Sequence, residues 1–112
     1  MRAIVAVGLA VWLCACSAWP AGKDPKGLVL NQSAETVLAA LNRYIQANGK
    51  APETLQALVP RYLAALPAQP EFNYSARRGT LVFNYAPNLP TGGTSACEAR
   101  FGETAFRCTW YR

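Results

Sequence analysis

The chain has 112 residues, of which 52% are hydrophobic and 15% are charged, and its net charge is +5. This balance excludes a disordered chain, and the length allows one domain. Lysine and arginine are scattered along the sequence, which argues against a nucleic-acid-binding surface. The sequence contains no histidine, so a serine or cysteine nucleophile would lack its usual base.

The first residues have the layout of a secretory signal. A short basic start precedes an uncharged apolar run over residues 3–13. The run ends in Leu13-Cys14-Ala15-Cys16, which resembles the lipobox of bacterial lipoproteins. The resemblance implies cleavage after Ala15 and acylation of Cys16, so residues 1–15 are expected to be a signal peptide.

Two other interpretations of this segment stay open. Ordinary cleavage at Ala15-Cys16-Ser17 would release a soluble protein, and residues 3–18 could remain as an anchor. That run is shorter than the roughly 20 residues that a spanning helix needs. We favour acylation, because several acyl chains hold a protein firmly on a bilayer. By the same resemblance, Ser17 in place of Asp indicates the outer membrane, with the protein facing the periplasm.

Residues 16–30 are expected to form the lipidated N-terminus and a flexible linker. Within them, Trp19 to Gly27 contains two prolines and two glycines and shows no periodicity. Residues 31–112 are then expected to form a single domain.

Helical spacing of apolar residues predicts a helix from Ser33 to Asn48, with Ser33 as its N-cap and Gly49 as its stop. Its apolar side comprises Ala34, Val37, Leu38, Leu41 and Ile45. Pro52 opens a short second helix with Leu55, Leu58 and Val59 on its apolar side.

After Pro70 the spacing of apolar residues changes from helical to alternating. Phe72 and Tyr74 alternate with polar residues, and the residues from Thr80 to Tyr85 favour a strand. The Arg77-Arg78-Gly79 sequence between them predicts a solvated turn, so this segment is expected to be a β-hairpin.

The last segment is expected to be a second hairpin closed by a disulfide. In an oxidising compartment, Cys97 and Cys108 are expected to pair. Facing cysteines would place Glu98 opposite Arg107 and the turn at Gly102-Glu103. A two-residue turn and a four-residue turn both satisfy this register. One face would then contain Cys97, Ala99, Phe101, Phe106, Cys108 and Trp110, and the other Glu98, Arg100, Arg107 and Thr109.

This order of elements resembles the globular heads of type IV pilins and type II secretion pseudopilins. The resemblance lies in Gly49, Pro52, Leu55, Leu58, Val59, Pro60, Tyr62, Leu63, Leu66 and Pro67. It implies a pilin-like head, and the two cysteines resemble the C-terminal disulfide loop of many pilins. Two features depart from the family: Leu13 stands where prepilins carry Glu after the cleavage glycine, and the residues from Ala86 to Ala96 lack the acidic ligands of a calcium loop.

We therefore expect an α+β fold in which one long amphipathic helix and a short second helix pack on an antiparallel sheet of about four strands. The expected function is that of a non-enzymatic, monomeric envelope lipoprotein, which binds or scaffolds an unknown envelope protein and is accessory to a secretion or pilus system. No catalytic residue, metal ligand or cofactor is predicted, and the other partner is the lipid bilayer.

In the second hairpin, Trp110 is expected in the core, while Tyr111 and Arg112 form a candidate partner surface.

Two alternatives to the expected function remain open. A small periplasmic inhibitor or ligand-binding lipoprotein would have a deep pocket between helix and sheet. An enzyme would need a cleft that gathers Glu35, Glu53 or Lys50 with the tyrosines.

Overall fold

A computed structural model describes residues 20–87 and 93–111, except for the side chain of Tyr111. In chain order the elements are helix α1 (Pro25–Asn48), a single 3-10 turn (Leu55–Leu58), and strands β1 (Phe72–Ser75), β2 (Thr80–Tyr85), β3 (Thr94–Arg100) and β4 (Arg107–Tyr111). The strands form one antiparallel sheet in the order β1-β2-β3-β4, and α1 packs on one face of it. The expected α+β architecture is confirmed.

Helix α1 begins at Pro25, so the prediction of Ser33 as its N-cap is wrong. Asp24 is the N-cap, and its Oδ2 accepts a hydrogen bond from the backbone N–H of Gly27 at 3.1 Å. Pro25 fits the first helical position because its ring presets φ and its missing N–H leaves no donor unpaired. Residues 25–30, expected in a flexible linker, therefore form the first turns of the helix.

The Asp24 carboxylate also joins the helix to the sheet. Its Oδ1 accepts a hydrogen bond from the hydroxyl of Tyr85 at 2.6 Å, and the Asp24 side chain is only 2% exposed. A Cβ atom at Gly27 would overlap the Tyr85 hydroxyl, so this close approach requires glycine. Burial, together with the hydrogen bond to Asp24, raises the pKa of Tyr85 to about 12.

The other end of α1 and its buried side match the sequence pattern. Gly49 adopts a left-handed conformation with φ of 74°, and its N–H donates to the carbonyl of Ile45 at 2.8 Å. Asn42 binds the far hairpin turn twice: its amide donates to the carbonyl of Glu103 and accepts from the N–H of Gly102. The fully buried residues on the helix are Ala34, Val37, Leu38, Ala40 and Leu41.

The expected second helix is only the four-residue 3-10 turn. Val59 ends it in an extended conformation, because a residue that precedes proline is disfavoured in the helical region. Leu55 and Leu58 are buried against α1, so the turn still contributes to the core. Nearby, the hydroxyl of Tyr74 donates to the carbonyl of Pro52 at 2.6 Å, which ties this connection to β1.

The sheet contains both predicted hairpins, and the second has the predicted register. Strands β1 and β2 form the first hairpin, in which Tyr74 faces Leu81. In the second, Cys97 faces Cys108 and Glu98 faces Arg107. The disulfide is formed, and the two Cα atoms lie 4.0 Å apart, close to the spacing of a non-hydrogen-bonded pair.

The turn of the second hairpin differs from the expectation in two details. The N–H of Glu103 donates to the carbonyl of Arg100, so Gly102 is the second central residue of the turn, with φ of 91°. Arg107 forms its ion pair with Glu103, at 2.7 Å. Glu98 faces Arg107 across the ladder, but the guanidinium of Arg107 binds the carboxylate of Glu103 in the turn.

We predict that Asp24→Ala lowers the free energy of unfolding by about 2–4 kcal/mol, measured by urea denaturation. The change removes a helix N-cap, at about 1 kcal/mol, and leaves the buried Tyr85 hydroxyl without its acceptor, at about 1–3 kcal/mol. Glu35→Ala is the matched control on the same helix, and as an exposed change it should stay within about 0.5 kcal/mol. A loss at Asp24 no larger than the loss in this control would contradict the role of the carboxylate.

The same contact predicts an alkaline pH dependence. The folded-state pKa of Tyr85, about 12, lies above the unfolded value of 10.0, so its contribution to stability is complete below pH 10 and is lost as the pH rises from 10 towards 12. Urea midpoints at pH 8 and pH 11 should therefore differ more in the unchanged protein than in Tyr85→Phe. Equal differences in the two proteins would refute this assignment.

Candidate functional site

A groove lies between the N-terminal half of α1 and the start of β4. We call it the helix–hairpin groove; its volume is about 480 Å³. Its lining residues are Ala21, Gly22, Lys23, Leu28, Asn31, Gln32, Glu35, Ala105, Phe106, Arg107 and Cys108. Three separate segments thus contribute to one concave surface: the chain before the helix, one side of the helix, and the start of β4 with the two residues before it.

Asn31 and Gly22 hold the walls of the groove together. The Asn31 amide donates to the carbonyl of Gly27 at 2.9 Å and lies 3.6 Å from the sulfur of Cys108. Gly22 has φ of 80°, and a Cβ atom there would lie 2.6 Å from the Cys108 sulfur. The chain before the helix therefore packs directly on the disulfide, and only glycine permits this approach.

The rim of the groove is charged. Lys23, Glu35 and Arg107 are all exposed around it. Arg107 is held by its ion pair with Glu103, whose pKa is lowered by a hydrogen bond from the N–H of Arg100 and by Arg107. The rim thus offers two cations and one carboxylate, which can steer and orient a charged partner.

The lining of this groove combines apolar area with hydrogen-bonding groups. Leu28 and Phe106 supply apolar area, and the amides of Asn31 and Gln32 supply donors and acceptors. The sulfur of Cys108 is held in the disulfide and is therefore not a thiolate nucleophile. The enzyme hypothesis needed Glu35, Glu53 or Lys50 beside tyrosines. Glu35 does border the groove, but Glu53, Lys50 and the tyrosines of the described residues do not line it.

The predicted site residues differ in how far the structure describes them. Cys97 and Cys108 form the predicted disulfide. Cys16 and Arg112 lie outside the described residues, and of Tyr111 only the backbone, in β4, is described. The lipidation site and the Tyr111–Arg112 partner surface therefore stay predictions.

Trp110 is not a core residue: it is 37% exposed. It faces Ser95 in the ladder, two residues beyond the Cys97–Cys108 pair, so it lies on the face of the sheet that packs against α1. Strand alternation therefore predicted correctly on which face of the sheet Trp110 lies. The prediction of burial is wrong because Trp110 lies at the end of the sheet, beside the start of the helix.

Sequence reasoning missed the contribution of the segment before residue 31 to the groove, because this segment was assigned to a linker. Asp24-Pro25 was the available signal, since it combines a favoured N-cap with a favoured first helical residue. Leu28 and Val29 were a second signal: they are adjacent apolar residues that lie off the buried side of α1, and they are 52% and 64% exposed.

Comparison with protein-family models, with curated proteins and with solved structures finds no match for this chain. Within residues 20–87 and 93–111, no helix is long and apolar enough to span a bilayer. The same part of the chain contains no cluster of three or more metal-ligating side chains.

We predict that replacing both bridge cysteines, Cys97→Ser with Cys108→Ser, lowers the free energy of unfolding by about 2–3 kcal/mol, because the bridge closes a short loop. Hydrogen exchange should also quicken at the backbone amides of residues 21–23, since Gly22 packs on the Cys108 sulfur. Thr109→Ser, an exposed change on the same strand, is the control and should alter neither quantity. Unchanged exchange in residues 21–23 would show that the bridge does not support the groove wall.

Proposed function

We propose that this chain is a lipid-anchored protein of the bacterial envelope that binds or scaffolds another envelope protein through the helix–hairpin groove. The observation that carries the binding role is the groove itself, an open surface with a charged rim beside an outermost strand. The anchoring role rests on the resemblance of Leu13-Cys14-Ala15-Cys16 to a lipobox. An accessory role in a secretion or pilus system follows from the resemblance to pilin heads.

The shape of the groove favours a segment of a protein as its occupant. The groove is partly open to solvent, and exposed Lys23, Glu35 and Arg107 border it. Strand β4 is the last in the sheet, so its outer backbone edge has no partner strand among the described residues. An extended peptide can add to such an edge while its side chains enter neighbouring pockets.

A monomeric, tethered state forms part of the proposal. In pilins a long hydrophobic N-terminal helix drives polymerisation, and in this sequence the lipobox-like motif stands in its place. An acyl anchor fixes one protomer to the bilayer but supplies no helix for packing into a filament. The chain is therefore proposed as a binding domain and not as a filament subunit.

A ligand-binding lipoprotein is the second candidate, and one observation favours it. The groove volume of about 480 Å³ falls within the range of small-molecule sites, roughly 300–1,000 Å³. A bound small molecule should then accompany the protein through mild purification and appear in native mass spectra.

The anchor is tested by Cys16→Ser, which should move the protein from the membrane fraction to the soluble fraction and abolish incorporation of labelled palmitate. The thiol of Cys16 is the proposed acyl acceptor, so serine removes the attachment point. Cys14→Ser changes a cysteine in the same motif and should leave both readouts unchanged. Membrane partitioning that survives Cys16→Ser would overturn the lipid anchor.

The binding role is tested by a photo-crosslinking residue placed at Gln32 in the full-length chain, in its native envelope. Gln32 lines the groove, so irradiation should give a discrete crosslinked species that mass spectrometry assigns to a secretion or pilus component. The matched control is Gln46, an exposed glutamine on the same helix outside the groove, and it should give none. Equal crosslinking at both positions, or no secretion or pilus component among the products, would count against the proposal.

A further inference from the structure

Exposed apolar side chains lie beside lysines at the end of the domain where α1 begins. Leu28 and Val29 are 52% and 64% exposed in the first turns of the helix, and Trp110 is 37% exposed near the end of β4. Lys23 and Lys26 are also exposed. We call these five residues the anchor-end surface.

Contacts between the helix and the sheet show that these residues share one end of the fold. Asp24 binds Tyr85 at the end of β2, and the Lys26 ammonium donates to the carbonyl of Ala86 at 2.9 Å. Tyr85 faces Ser95, and Ser95 in turn faces Trp110. The opposite end is marked by Asn42, which binds the hairpin turn at Gly102 and Glu103.

On the helix side of this end, in residues 20–31, the exposed charge is positive. Lys23, Asp24 and Lys26 are the charged residues between positions 20 and 31. The carboxylate of Asp24 is buried and accepts hydrogen bonds from Gly27 and Tyr85, so it presents little negative charge to solvent. Lysines near an anionic bilayer each contribute about 1 kcal/mol of attraction, and tryptophan and leucine side chains favour its interfacial region.

The length of chain before the domain brings this end close to the bilayer. This step rests on the proposed acylation of Cys16. Three residues separate Cys16 from Pro20, where the described structure begins. The Cα atoms of Cys16 and Pro20 can therefore lie at most about 15 Å apart. Pro20 accepts a hydrogen bond from the N–H of Lys23, and Gly22 packs on Cys108. The chain from Cys16 therefore joins the described domain at its anchor-end surface.

We propose that the anchor-end surface docks on the anionic bilayer to which Cys16 is attached. Trp110, Leu28 and Val29 enter the interfacial region, while Lys23 and Lys26 contact anionic headgroups. The acyl chains supply the affinity, and this surface sets the orientation of the domain. Lys23 and Leu28 also border the helix–hairpin groove, so docking places one end of the groove at the membrane and leaves Glu35 and Arg107 facing outward.

The test uses the full-length chain with Trp19→Phe, purified from bacterial membranes and reconstituted into vesicles of phosphatidylglycerol and phosphatidylcholine. Trp12 lies in the proposed signal peptide, so Trp110 is then the remaining tryptophan of the mature chain. Phosphatidylcholine brominated near the headgroup should quench Trp110 fluorescence more strongly than lipid brominated deep in the chain. Reversing both lysines, Lys23→Glu with Lys26→Glu, should reduce quenching by roughly twofold or more.

Lys50→Glu is the matched control, because Lys50 is an exposed lysine beyond the opposite end of α1, and it should leave quenching unchanged. Mass spectrometry of the same preparations reports acylation and the intact Cys97–Cys108 bridge, which keeps the anchor separate from docking. An acylated protein whose Trp110 is not quenched overturns docking and leaves the anchor standing. Recognition of anionic headgroups is overturned if Trp110 is quenched as strongly in vesicles of pure phosphatidylcholine as in vesicles that contain phosphatidylglycerol, and if the lysine reversals do not change the quenching. A chain without acyl groups overturns the proposed anchor, and docking with it.

Discussion

The buried carboxylate of Asp24 connects the two halves of this fold. One oxygen caps the first turn of α1, and the other accepts a hydrogen bond from the hydroxyl of Tyr85 at the end of β2. A buried carboxylate is costly unless its oxygens are hydrogen-bonded, and here the helix N-terminus also favours a negative charge. This contact fixes the start of the helix against the end of β2, and the groove lies beside the first turns of the helix.

The sequence predicted those parts of the fold in which each residue's local preference agrees with its final environment. The apolar side of α1, the Gly49 stop, the two hairpins and the cysteine pairing all follow from spacing and residue type. The helix start was missed because Asp24-Pro25 lies among prolines and glycines that are also typical of linkers. The second hydrogen bond of the Asp24 carboxylate comes from Tyr85, 61 residues later, and no local pattern reveals that partner.

The groove was less predictable than the fold. It combines the chain before α1 with the start of β4, and the contact between them depends on the absence of a side chain at Gly22. Arg107 and Glu98 were correctly placed opposite each other, yet the guanidinium binds Glu103 in the turn. Strand register limits which side chains can meet. It does not decide between two nearby carboxylates, because that choice depends on the conformation of the turn.

The contact between Gly22 and the Cys108 sulfur has a mechanical consequence for a tethered protein. A pull between the bilayer and a groove-bound partner would enter the domain through the chain at residues 20–23 and reach β4 beside its covalent link to β3. Hydrogen bonds between two strands can separate one after another under load, but a covalent crosslink stops that separation at the linked pair. The disulfide thus joins β4 to β3 at the position where Gly22 packs on the sheet, and under load the two strands could not separate past that pair.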